Sequence, residues 1–74
     1  MKLKQALKIA KDHRYDFIAA DGDGSIYMYH SSPTIGDGGA RWMPVVGEST
    51  KLISRVVYTG SKGWMDTLRA VKWN

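Results

Sequence analysis

The stretch Phe17-Ile18-Ala19-Ala20-Asp21-Gly22-Asp23-Gly24-Ser25-Ile26-Tyr27-Met28-Tyr29-His30 decides the fold. A short apolar run, an Asp-Gly-Asp-Gly break and a second run with a period of two read as two antiparallel strands joined by a tight turn. Asp and Gly suit the turn because they reach the positive-φ conformations that a hairpin needs. Alternation along the second strand places Ile26, Met28 and His30 on one face and Tyr27 and Tyr29 on the other. Small Ala19 is expected to leave room for a helix against the first strand.

Upstream, residues 2–13 read as that helix. Leu3, Ala6, Leu7 and Ala10 recur at three-and-four spacing and form one apolar stripe. Lys4, Lys8 and Lys11 fall on a different stripe, and Ala, Leu, Lys and Gln are good helix formers. Downstream, residues 31–40 read as a loop by composition, with Pro33 ending the second strand. A second sheet region is expected over Arg41–Val46, then a turn at Gly47–Ser49 and a strand from Lys51 to Tyr58. Thr59–Gly63 breaks that strand. Trp64, Leu68 and Val71 then stand at helical spacing, while Val71-Lys72-Trp73 also suits a short strand. The fold expected is α+β: an N-terminal helix packed on a small antiparallel sheet of three to four strands, with a short C-terminal helix or turn.

At 74 residues this is one domain, 1–74, with 43% hydrophobic and 24% charged residues and no cysteine. Those fractions are globular ones, and a chain this short buries only about 60% of its unfolded surface. Without cysteine there are no disulfides, thiolate nucleophiles or cysteine-held zinc. Lysines interrupt every apolar stretch near the N-terminus, so neither a signal peptide nor a membrane span is expected, and the location expected is the cytoplasm.

The net charge of +4 is unevenly placed: residues 1–14 carry five cations and one anion, residues 15–40 four aspartates and no cation, residues 41–74 six cations and two anions. That balance permits a nucleic-acid partner without demanding one.

No motif brings a catalytic set. Asp21-x-Asp23-x-Ser25 opens like a calcium loop, but position 12 would be Ser32 rather than Glu, and strands flank it rather than helices. The Gly-x-Gly pairs at 22–24 and 36–38 complete no dinucleotide fingerprint, and Gly60-Ser61-Lys62-Gly63 lacks the first half of a phosphate loop. His13 and His30 have no neighbouring constellation of a nucleophile and acid. No catalytic, cofactor or metal residue is expected, and the chain is not expected to be an enzyme. The aromatic residues are the stronger signal: three Trp, four Tyr and one Phe exceed what so small a core needs. Trp and Tyr dominate protein–protein hot spots and also stack on bases.

The chain resembles a group of small uncharacterised bacteriophage and prophage proteins. The resembling residues are Ala6-Leu7-Lys8-Ile9-Ala10-Lys11 with Tyr15-Asp16-Phe17-Ile18-Ala19, Asp21-Gly22-Asp23-Gly24-Ser25-Ile26-Tyr27-Met28-Tyr29 with Pro33, and Tyr58-Thr59-Gly60 with Trp64-Met65-Asp66-Thr67-Leu68-Arg69, Val71 and Trp73. They cover most of the chain. Arg14 departs from the pattern, where Gly fits better at the helix exit. The resemblance implies an α+β phage accessory protein, with no catalytic residues to carry over. Small phage proteins of this kind mostly bind, and some inhibit a host or defence enzyme such as a CRISPR complex, a nuclease or RNA polymerase. The function expected is therefore a non-enzymatic inhibitor of a host or defence protein, acting in the host cytoplasm by steric blocking. Its expected contact residues are Lys4, Lys8, Lys11, Tyr27 and Tyr29. The alternative is a small nucleic-acid-binding module using the basic helix face and the sheet aromatics. A homodimer formed by pairing of exposed strand edges is compatible with either.

Overall fold

A computed structural model of the chain describes residues 1–36, 38–54 and 63–73. Helix α1 spans Leu3–Asp12, strands β1 and β2 span Phe17–Ala20 and Ile26–Tyr29, and the short strands β3 and β4 span Thr34–Ile35 and Trp42–Met43. Strand β5 spans Lys51–Ser54, a single 3-10 turn spans Trp64–Asp66, and β6 spans Arg69–Ala70. The main sheet is antiparallel with order β5-β2-β1-β6, and β3 and β4 form a separate ribbon. The expected α+β architecture, one helix on a four-stranded sheet, is what the chain adopts.

The central hairpin pairs Phe17 with Tyr29, Ile18 with Met28, Ala19 with Tyr27 and Ala20 with Ile26. Its loop closes through the Gly24 amide on the Asp21 carbonyl and the Asp21 amide on the Ser25 carbonyl. Gly24 has φ 91°, a left-handed position that a side chain would strain. The Asp23 carboxylate accepts the Ser25 amide at 2.9 Å, so it braces the turn.

Strand alternation sorts the side chains into two layers. Ile18, Ala20, Ile26 and Met28 face α1 and form one core with Ala6, Ala10 and Val71. Small Ala6 and Ala10 let the helix approach, with Leu3 and Leu7 packed at the margin. The alanine that makes room on β1 is Ala20; Ala19 points to the other side, because alternation from Ile18 assigns it there. On that other side Ala19, Tyr29 and Trp42 form a second core, edged by Phe17, Tyr27, Trp64 and Leu68.

Helix α1 starts with the Gln5 side chain accepting the Lys2 amide at 3.0 Å. It ends with the Tyr15 amide on the Ala10 carbonyl and the Arg14 amide on the Lys11 carbonyl. That pair of bonds is the Schellman ending, which puts Arg14 in the left-handed C′ position at φ 64°.

Two expectations are revised, and a third reaches beyond the described residues. Thr34–Ile35, read as loop, is a strand beginning just after Pro33, a position proline tolerates. Trp64, Leu68 and Val71 do not form a helical stripe. Trp64 and Leu68 pack in the second core and Val71 in the first, so the chain makes one 3-10 turn and then crosses the sheet edge as β6. Strand β5 is seen from Lys51 to Ser54; Val56, Val57, Tyr58 and the break at 59–62 lie outside the described residues. Among the described residues no helix is long and apolar enough to cross a membrane.

Buried Thr67, at 0% exposure, ties these parts together. Its hydroxyl accepts the Ala20 amide at 2.8 Å and shares its proton between the carbonyls of Trp64 at 2.6 Å and Ala20 at 3.2 Å. The β1–β6 ladder ends at Ile18 and Arg69, so Thr67 takes the place of a strand beside Ala20. Replacing Thr67 by Val strips a buried amide of its acceptor and should cost about 1–3 kcal/mol, whereas Thr67→Ser should recover most of that. Urea unfolding of both variants checks this. Arg14→Gly should stabilise by about 1 kcal/mol by relieving the left-handed backbone. A melting point raised by roughly 4–8 °C is the result to look for.

Candidate functional site

The second core does not close over completely. The ribbon β3–β4 lies across one part of the sheet face and leaves an open cleft of about 230 Å³. The cleft is lined by Asp21, Tyr27, Trp42, Met43, Pro44 and Thr50, with Tyr29 and Arg41 also contributing. A second hollow of about 340 Å³ adjoins it, sharing Asp21, Tyr27 and Arg41 and adding Asp23 and the backbone of Gly39–Ala40.

Asp21 joins the hairpin to the ribbon. One of its carboxylate oxygens accepts the Trp42 amide at 2.8 Å. Next to it the Gly22 amide donates to the Ala40 carbonyl at 2.6 Å. This approach needs glycine, because a Cβ on Gly22 would lie 2.7 Å from the Ala40 Cβ. Trp42 then turns inward: its indole N–H points between the carbonyls of Ala20 at 3.1 Å and Trp64 at 3.3 Å. Its ring meets Trp64 edge-on, at 6.3 Å between centroids and 85° between planes. The floor of the cleft is therefore rigidly held.

Burial raises the Asp21 carboxyl above its ordinary value of 3.8; the Trp42 amide offsets part of this, the Asp23 charge adds to it, and Arg41 opposes it. Burial likewise pushes the Tyr29 hydroxyl well above the ordinary phenol range, and the charges of Asp21 and Tyr27 add to this. Tyr29 stays a neutral hydroxyl throughout the physiological range.

The five expected contact residues separate in space. Lys4, Lys8 and Lys11 are all exposed on α1, as a ridge on the helix side of the sheet. Tyr27 and Tyr29 lie on the opposite side. Tyr27 is half-buried and lines both hollows, while Tyr29 is only 3% exposed and belongs to the second core. The expectation of a two-tyrosine surface is thus corrected to one accessible tyrosine, because Trp42 covers Tyr29. The sequence reading missed Asp21 and Arg41 as site residues; the Asp-Gly-Asp-Gly run was fully accounted for by the turn.

The calcium-loop likeness is replaced by structural duties, since one oxygen each of Asp21 and Asp23 holds a backbone amide. Among the described residues no three His, Asp or Glu side chains gather as metal ligands. His30 stacks on Tyr15, at 4.2 Å between ring centroids.

Because the native Asp21 carboxyl is raised, its ionisation opposes folding. The penalty is absent below 3.8 and grows as pH climbs through the native value. Asp21→Asn keeps an acceptor oxygen for Trp42 and removes the charge. Denaturant midpoints followed across the acid range should show a flatter rise-and-fall in the variant, with the difference from the parent confined to pH above 3.8.

Comparison of the chain with models of protein families, with curated proteins and with solved structures gives no significant match.

Proposed function

We propose that the chain is a non-enzymatic binding protein that docks through its ribbon side. The observation that carries this is the run of exposed apolar residues on and beside the ribbon: Ile35 at 47%, Met43 at 39%, Val45 at 48% and Val46 at 99%. Single exposed hydrophobics are ordinary, but four within a dozen residues, next to a cleft edged by Tyr27 and Trp42, have the make-up of a contact surface. The apex itself is well defined. The Glu48 amide closes a turn on the Val45 carbonyl, Gly47 supplies its left-handed position at φ 89°, and the Glu48 carboxylate accepts the Ser31 hydroxyl at 2.8 Å. A rigid apolar projection loses little entropy when it is covered.

The likeness to small phage accessory proteins gives the kind of partner we have in view: a host or defence protein, inhibited by occlusion of its working surface. The lysine ridge supports a second reading, in which Lys4, Lys8 and Lys11 track a phosphate backbone from the helix side. The two readings use opposite sides of the sheet, so one variant of each separates them.

A tagged chain used as bait in host lysate, with and without nuclease, should retain a stoichiometric protein partner. Val46→Asp, at a fully exposed position, should leave the fold intact and reduce that capture at least tenfold. Capture that disappears with nuclease, falls steeply with salt and responds to Lys8→Glu rather than Val46→Asp would replace this proposal with the nucleic-acid reading.

A further inference from the structure

On the side of the sheet opposite the ribbon, and independently of the docking proposed there, we infer that the chain binds single-stranded nucleic acid around the C-terminal end of α1. Two observations of different kinds meet at this end. The first is charge. Lys4, Lys8 and Lys11 are exposed and stand four and three residues apart, so they form one row along the helix about 10 Å long. Exposed Arg14 follows, its amide bonded to the Lys11 carbonyl. The carboxylates nearest in the chain are Asp12, which is exposed, and Asp16, one of whose oxygens accepts the Trp73 indole N–H at 2.9 Å.

The second is a set of rings at the same end. His30 is exposed and stacks on half-buried Tyr15, with 4.2 Å between ring centroids and 17° between planes. Tyr15 is held in place, since it packs on the first core and its amide is bonded to the Ala10 carbonyl. One face of His30 is thereby occupied, and a base can extend the stack on the exposed part of the ring. Trp73 is 46% exposed, a large ring left in water, and its bond to Asp16 keeps it in position. Backbone bonds join the supports of these rings. The Asp16 amide is bonded to the carbonyl of Tyr29, next to His30, and the Asp16 carbonyl to the amide of Val71, two residues before Trp73. A lysine row alone is a common solvated face. Beside exposed rings that are already immobilised, it has the make-up of a single-strand surface, where phosphates meet cations and bases stack on aromatic faces. A duplex keeps its bases stacked on one another and offers the rings nothing.

The test uses the whole chain and labelled probes followed by fluorescence anisotropy: short oligothymidine and oligouridine, a DNA duplex of the same length, and polyglutamate. A single strand of either kind should bind, with affinity that falls steeply as salt rises, and the duplex and polyglutamate at least tenfold more weakly. Trp73→Ala and His30→Ala should each lower single-strand affinity roughly five- to a hundredfold, the loss of one stacked base. Trp73→Phe, which keeps a ring and gives up the Asp16 bond, should retain most of the affinity. Lys8→Ala should reduce the salt slope by about 0.7, the share of one phosphate contact. Absence of salt-dependent binding, or equal binding of the duplex or of polyglutamate, overturns the inference. So do folded Trp73→Ala and His30→Ala variants that bind as the parent does. If an alanine variant fails to fold, the probe series on the parent chain decides alone. The ribbon is scored separately, by lysate capture and Val46→Asp, so failure of oligonucleotide binding leaves the docking surface standing.

Discussion

Everything on the ribbon side of the sheet hangs from the backbone of Ala20. Its amide is held by the Thr67 hydroxyl, and its carbonyl receives both that hydroxyl and the Trp42 indole. Trp64 offers its carbonyl to the same two donors. Four residues from three distant parts of the chain thus share one buried group of hydrogen bonds. In a chain of 74 residues, where burial is barely sufficient, such a group matters more than it would in a larger core. Without it the hairpin and α1 would still pack, but the ribbon would be left with its apolar contacts and with the bonds from Trp42 to Asp21, from Gly22 to Ala40 and from Ser31 to Glu48.

The same group positions the candidate site. Trp42 is drawn inward by its indole N–H and held by its amide to Asp21, so the ribbon meets the sheet at a fixed distance. Tyr29 is covered and Tyr27 is left at the cleft edge as a direct result. Glycine at position 22 permits the remaining contact, between hairpin and loop. The molecule therefore has two unlike sides: a helix carrying an exposed row of lysines, and a ribbon carrying apolar residues next to a cleft with two carboxylates.

The local elements were legible because their signals are local. The helix stripe at Leu3, Ala6, Leu7 and Ala10 and the alternation from Ile26 to Tyr29 each require only a period, and each was found in place. The left-handed backbone at Arg14 had no such local signal, because no periodicity marks a φ of 64°. The ribbon was legible only in half: Trp42–Met43 falls in the sheet region expected over Arg41–Val46, whereas its partner strand was read as loop. Thr34–Ile35 is two residues long and lies in a segment rich in Gly, Ser and Pro, so its strand character comes from the distant partner Trp42–Met43. The end of the chain misled for a related reason. Trp64, Leu68 and Val71 have helical spacing, but two cores on opposite sides of the sheet claim them. Of the expected contact residues, the lysines were readable as a solvated stripe. Asp21 was hidden because turn chemistry explained it completely, and Tyr29 was misjudged because nothing near it in sequence announces its cover.

The most direct measurement of this account is native-state hydrogen exchange, read at the Ala20 amide and the Trp42 indole N–H. If the Ala20 group holds the ribbon to the sheet, both protons exchange only with global unfolding, at the same free energy as the central β1–β2 amides. Thr67→Val should then release the Trp42 proton into a faster, local opening. Fast exchange of the Trp42 indole in the parent chain, with the β1–β2 amides still protected, would show that the ribbon opens on its own and would contradict the account.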